Sequence, residues 1–296
     1  MIAAQNSIVE RTGPLVNVLC LGVFLSLLLG LTPAQDGRRN QRVGDQSNQQ
    51  AVIQFSQQSA SQLVLQYFHG PPYPLFVIRR LIDLADSGVK PALRDAFCRE
   101  TQPRTRQALA AALVRLRDPD SQYFTYLAAA AHEAAVSDLP YSCELSSGKT
   151  QDERAEFPLE FIAWAWAHDL SLSDTLRRAA IELPAAVEAL GEAADPRSLA
   201  ILLRGLNSPN TCTVRTSAFG LARLHDTIGI EPIIRACYKL GAKDRPLVAK
   251  ALLYFGTHRA QRAAESIIGD PALVRRWRIE VKRRGWKLAM RDRAVP

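Results

Sequence analysis

The sequence predicts an all-α protein, a right-handed α-solenoid of antiparallel helix pairs stacked with a period of about 31 residues. Three observations predict it. First, one helix ending recurs five times: Leu81 to Asp86, Leu113 to Asp118, Leu190 to Asp195, Leu221 to Asp226 and Leu252 to Thr257. Leu opens each copy, an apolar residue stands three on, and Asp or Thr stands five on; the final residues are 32, 77, 31 and 31 apart. A fixed spacing in this range is the length of two short helices and two turns, the unit of a stacked repeat. Second, Asp118-Pro119, Asp195-Pro196 and Asp270-Pro271 each put an N-cap acceptor before a residue with no amide proton to lose. Third, 47% hydrophobic residues with only 7% aromatics imply closely stacked Ala- and Leu-rich helices.

Taken in order, residues 15–31 are apolar except for Asn17 and Ser26, and Thr32-Pro33-Ala34 follows. Residues 1–34 therefore read as a signal peptide cut after Ala34, or else as an uncleaved membrane anchor at the short limit for a span. Residues 35–50, rich in Gln, Asn, Arg, Gly and Ser, bury too little apolar surface to offset the entropy of ordering and read as a flexible linker. The solenoid is assigned to 51–296. Val52, Phe55, Ser59, Leu63 and Tyr67 follow at helical spacing with a Gln-rich outer face, as in a terminal cap.

The 77-residue gap equals two periods with an insertion of about 15. Residues 137–157, with Pro140, Ser146-Ser147, Gly148 and a charged run, have no helical period and read as that insertion. The most aromatic stretch follows. Phe161, Trp164, Ala165 and His168 share one helical face, and Trp166 points elsewhere. Core packing is the ordinary reading of such a face, whereas an exposed Trp marks a binding surface. Pro184 falls inside a long helical pattern, 172–193, and should kink or split it. In Val214 to Asp226, apolar residues at 214, 218, 221 and 224 line one helix face.

The C-terminal helix, 271–290, combines an apolar stripe (Leu273, Val274, Trp277, Val281, Leu288) with a basic remainder. Nine Lys/Arg against three acidic residues in 270–296 supply +6 of the formal +8, so an electrostatic partner meets this helix and not the whole surface. A docked cap and an attachment helix for an anionic membrane surface both fit; an exported chain rarely meets nucleic acid, which is not an expected partner.

The segment Val214-Arg215-x-x-Ala218-x-Gly220-Leu221-x-x-Leu224-x-Asp226 resembles the second helix of a HEAT-type repeat, and Asp195-Pro196 resembles its inter-repeat turn. The resemblance covers about residues 52–290, most strongly 185–257. It implies the fold; such solenoids include scaffolds, adaptors and a few enzymes, among them bilin-attaching lyases.

None of His69, His132, His168, His225 and His258 has metal-ligand spacing, and no phosphate loop or nucleophile elbow is present, so no catalytic residue, metal or cofactor is assigned. Removing the signal leaves Cys98, Cys143, Cys212 and Cys237. An even count in an exported chain permits disulfides without giving their connectivity. Cys98 and Cys237, twelve and eleven residues after Asp86 and Asp226, read as equivalent buried core thiols. The expectation is a non-catalytic, exported repeat scaffold that binds another protein. The alternatives are a lyase-type enzyme using Cys143 and a membrane-peripheral module. The candidate binding surface comprises Trp164, Trp166, Cys143, Trp277, Arg276, Arg283 and Trp286.

Overall fold

The computed structural model describes residues 54–55, 57–142 and 159–293, the side chains of 283–293 excepted. Residues 1–34 and 35–50, and most of the 137–157 insertion, lie outside the described residues. Met1–Gln58 and Ser59–Pro296 are separate units, and the repeats belong to the second. That unit is all-α, with no strand among the described residues.

It opens with α1 (Ala60–Tyr67), set by a capping box. The Ser59 hydroxyl accepts from the Gln62 amide, and the Gln62 side chain accepts from the Ser59 amide. Ser59 is thus the cap of the predicted helix and not a member of it. The chain continues through α2 (Leu75–Leu84), α3 (Lys90–Arg99), α4 (Pro103–Arg115) and α5 (Gln122–Val136). After the insertion come α6 (Leu159–Ala167), α7 (Leu172–Arg177), α8 (Leu183–Ala193), α9 (Leu199–Gly205) and α10 (Thr211–Leu224). The remainder is α11 (Ile230–Lys239), α12 (Asp244–Ala249) with a tight turn over Lys250–Phe255, α13 (His258–Ile268) and α14 (Pro271–Arg293).

These helices form two rows. In the first, α2 packs on α4, α4 on α8, α8 on α10, α10 on α12 and its following turn, and that turn on α14. The second row holds α3, α5, α9, α11 and α13, with α5 on α9 and α11 on α13. Each helix hides an apolar face against the next pair because one pair alone cannot cover it. In α4 the burial is nearly complete: Leu109, Ala110, Ala111, Ala112 and Leu113 have no exposed surface. Ala lets neighbouring helices approach from several sides.

Because α4 packs directly on α8, and α5 on α9, the interval between Asp118 and Asp195 holds one repeat step. The expected reading of two periods plus about 15 residues is therefore corrected to one period plus about 46. The surplus includes α6, a helix interposed outside the two rows and packed against α7.

The corners between repeats share one backbone conformation. Ala85, Arg117, Ala194 and His225 have φ of 51°, 55°, 49° and 51°, and Gly256 has 68°. Each residue closes a first-row helix by turning left-handed. The Asp that follows caps the next turn: Asp86, Asp118, Asp195 and Asp226 accept from the amides of Gly88, Asp120, Arg197 and Ile228 at 2.8–3.2 Å. Thr257 caps α13 through the Ala260 amide, and Asp270 caps α14 through Ala272 and Leu273. The Asp corners expected from the spacing are therefore structurally equivalent.

Pro184 splits its helix as expected. Residues Arg178–Glu182 widen into a π turn in which the Leu183 amide bonds the Arg178 carbonyl. Pro184, with no amide proton, leaves the Ala179 carbonyl without a helical donor. Further along, α8 and α10 cross at Gly191 and Gly220, where a Cβ on Gly191 would stand 2.7 Å from the Gly220 Cα. Only a residue without a side chain permits that approach.

Candidate functional site

The sequence-predicted candidates fall on two elements, α6 and α14. In α6, Phe161 and Ala165 are buried, at 1% and 0% exposure, facing the solenoid. Trp164 lies at the edge of that face. Its indole N–H donates to Asp138 Oδ1 at 2.7 Å, and its ring stacks on His168 at 3.7 Å. Trp166 points the other way, as its position predicts, and is 77% exposed. Leu159, two helical turns earlier on the same face, is 80% exposed. This helix is thus apolar on both sides and covered on one. Large exposed apolar side chains arranged on one face mark an interaction surface more strongly than isolated ones do.

The first limb of the insertion crosses three elements. Asp138 holds Trp164 of α6, and Leu139 is fully buried. The Tyr141 carbonyl accepts from the Thr211 amide at 2.7 Å, its amide donates to the Pro209 carbonyl, and its ring tilts against Phe161. The Ser142 hydroxyl donates to Asp244 of α12 at 2.8 Å. Cys143 follows and lies outside the described residues.

The thiols divide. Cys98 and Cys237 are free, and Cys212 is disulfide-bonded. Cys237 is fully buried, and burial pushes its thiol up to about 12. Cys98 is exposed, which corrects its assignment as a core thiol. Counting from the Asp corners, the equivalent of Cys237 is Phe97, which is buried; one residue further rotates the side chain about 100° around the helix.

In α14, Trp277 is only 9% exposed, beneath Lys250 Nζ at 5.2 Å. Lys250 also pairs with Glu280 at 2.8 Å. Trp277 therefore docks the helix and does not belong to an exposed binding surface. Arg276 is exposed, as are Arg275, Arg278 and Lys282, around Ile279 at 51%. Arg278 pairs with Glu265. Arg283 and Trp286 stand further along α14, their side chains outside those described. Trp166 and Trp277 belong to separate elements and environments.

Sequence reasoning missed a charged row along the first-row helices. Arg79 of α2 reaches over α4 to Glu188 at 3.0 Å and Glu192 at 3.2 Å on α8, and Arg223 of α10 stands 3.9 Å from Glu192. Arg79, Ala111, Glu188, Phe219 and Lys250 all sit two residues before the repeat Leu; Asp83, Arg115, Glu192, Arg223 and Tyr254 sit two after. Reading those columns across the copies would have revealed the row. Ala111 in the first column leaves the gap that Arg79 spans. Burial raises the Glu192 carboxyl above its ordinary range, opposed by Arg223 and Arg79. A cleft of about 260 Å³ lies between the Asp118 and Asp195 corners. Two of its carboxylates are paired locally: Asp118 with Arg94, and Asp195 with Arg197, whose guanidinium lies over the Phe124 ring. The Arg197 guanidinium holds the Asp195 carboxyl below its usual range. Among the described residues, no group of three His, Cys, Asp or Glu is placed to hold a metal.

The family model of the PBS lyase HEAT-like repeat matches residues 185–208, from α8 through the Asp195 corner and α9. The chain carries a HEAT-like repeat. With the two-row packing, this supports a place for the chain among HEAT-repeat proteins. No curated protein and no solved structure matches the chain. Among the described residues, no helix is long and apolar enough to cross a membrane.

Proposed function

We propose that this HEAT-like protein is an exported, non-catalytic scaffold that binds another protein through the outer face of α6. The observation that carries this reading is the pair Leu159 and Trp166, 80% and 77% exposed, on a helix whose opposite face is buried. Aromatic anchors on a firmly seated element lose little entropy on binding. The disulfide at Cys212 supports export, because such bonds persist in oxidising compartments. The lyase-type alternative rests on the likeness of the repeat to those of bilin-attaching lyases and on Cys143, with no acid or base partner assigned to that thiol.

A photo-crosslinking residue at position 166 of the natively produced protein tests the reading. A defined adduct is expected, and Leu159→Asp should abolish it while leaving helical circular dichroism unchanged. An equal adduct from a probe at exposed Ile228, or none from position 166, overturns it.

A second reading has one observation in its favour: exposed Arg275, Arg276 and Lys282 surround exposed Ile279, as in a helix lying on an anionic membrane. Sedimentation with phosphatidylglycerol vesicles should then carry the protein down at low salt and release it at high salt. Equal sedimentation with neutral vesicles would dismiss it.

A further inference from the structure

Among the described residues, two arginines lie on aromatic rings, and they differ in one respect. Arg197 lies 3.9 Å over Phe124 and is answered by a carboxylate of its own chain, Asp195 at 2.7 Å. Arg106 of α4 lies 4.6 Å from the centre of the Phe97 ring of α3 and 5.3 Å from that of Tyr126 of α5, and no carboxylate answers it. Phe97 is buried, and the two rings meet edge to face at 5.6 Å, so three helices fix the bed on which the guanidinium rests. The Arg106 Nε is sealed from water without an acceptor, while its Nη nitrogens and the Tyr126 hydroxyl reach solvent and bond nothing in the chain. Glu100, close by in sequence, spends its carboxylate on the amides of Tyr73 and Gln102.

We propose that Arg106, seated on Phe97 and Tyr126, is a receptor for a carboxylate carried by an acidic segment of a partner protein. A guanidinium half desolvated without a counter-charge is costly, and a carboxylate arriving at the Nη fork removes that cost. The planar fork matches a planar carboxylate through two parallel hydrogen bonds. The rings hold the side chain in one place, so little rotamer freedom remains to be lost on binding. They also exclude water from one side, which makes the pair stronger than one between two fully solvated side chains. A single fork grips a free small acid weakly; a protein segment adds contacts around the same carboxylate. This site uses α3, α4 and α5 and not the outer face of α6, so its failure leaves the reading of α6 untouched.

Fluorescence anisotropy of a fluorescein-labelled hexaglutamate peptide with the full chain tests the site. Arg106→Lys keeps the charge, and with it the general attraction of the basic α14, but loses the fork. It should weaken binding about tenfold, the worth of one charge-assisted hydrogen bond. Arg276→Lys, on exposed α14, should leave binding unchanged. Unlabelled hexaglutamate should displace the probe, whereas acetate at the same carboxylate concentration and inorganic phosphate at the same ionic strength should displace it no more than chloride does. No binding, an Arg106→Lys protein that loses no more than Arg276→Lys, or displacement by acetate or phosphate as complete as by the peptide overturns the proposal. Should Arg106→Lys fail to fold, phenylglyoxal labelling of the unaltered protein decides: hexaglutamate should slow modification of Arg106 more than that of Arg276, and equal protection of the two overturns it.

Discussion

The Asn210 side-chain amide donates a 2.8 Å hydrogen bond to the Ala179 carbonyl, the acceptor that Pro184 leaves without a helical donor. The same side chain accepts from the amides of Cys212 and Thr213 through Oδ1, which settles its orientation and caps α10. Asn210 is fully buried. One residue therefore satisfies the defect in one first-row helix and the open end of the next. Asn210→Ala should cost about 2–4 kcal/mol, from the lost cap and a buried carbonyl left unpaired. Chemical denaturation measures this; a loss below about 1 kcal/mol would mean that water replaces the side chain.

Gly191 and Gly220 set how closely α8 and α10 approach. Gly191→Ala would bring its methyl against the Gly220 backbone at 2.7 Å, and backbone cannot rotate aside. The helices must separate, at an expected cost of about 1–3 kcal/mol. Gly241→Ala, which meets nothing within 4 Å, is the control and should be near neutral.

The left-handed corner residues offer a stabilising change. Ala85, at φ 51°, bears a strain that Gly256, at φ 68° in the equivalent position, avoids. Ala85→Gly should relieve about 1–2 kcal/mol of strain and lose about 0.4–1 kcal/mol to the entropy of the unfolded chain. A small rise in the melting midpoint is expected, and a fall would show that the corner tolerates Ala without strain.

Glu192 imposes a pH dependence of definite sign. Its carboxyl is raised above the ordinary value of 4.5, mainly by burial, so the folded state holds the proton more tightly than the unfolded one. The stability it contributes is present below pH 4.5 and lost as pH rises through its folded pKa. Glu192→Gln, which keeps a partner for Arg79, should match or exceed wild-type stability at neutral pH, and its advantage should vanish in acid. Denaturation midpoints from acid to neutral pH read the difference, and a variant weaker at neutral pH alone would show that pairing with Arg79 and Arg223 outweighs burial.

Local chemistry in the chain was enough to determine the all-α class, the 31-residue period, the Asp corners, the break at Pro184 and the opposite faces of Phe161 and Trp166. Each depends on residues within a turn or two of one another, where helix periodicity and capping act. Tertiary structure alone decided that α4 neighbours α8, that Cys98 lies outside the core, and that Trp277 is covered by Lys250. It also decided that Arg79 crosses α4 to reach Glu192, and that Asn210 satisfies Ala179. These depend on which surfaces meet across long stretches of chain, and periodicity gives a side chain's direction without naming the neighbour it finds there.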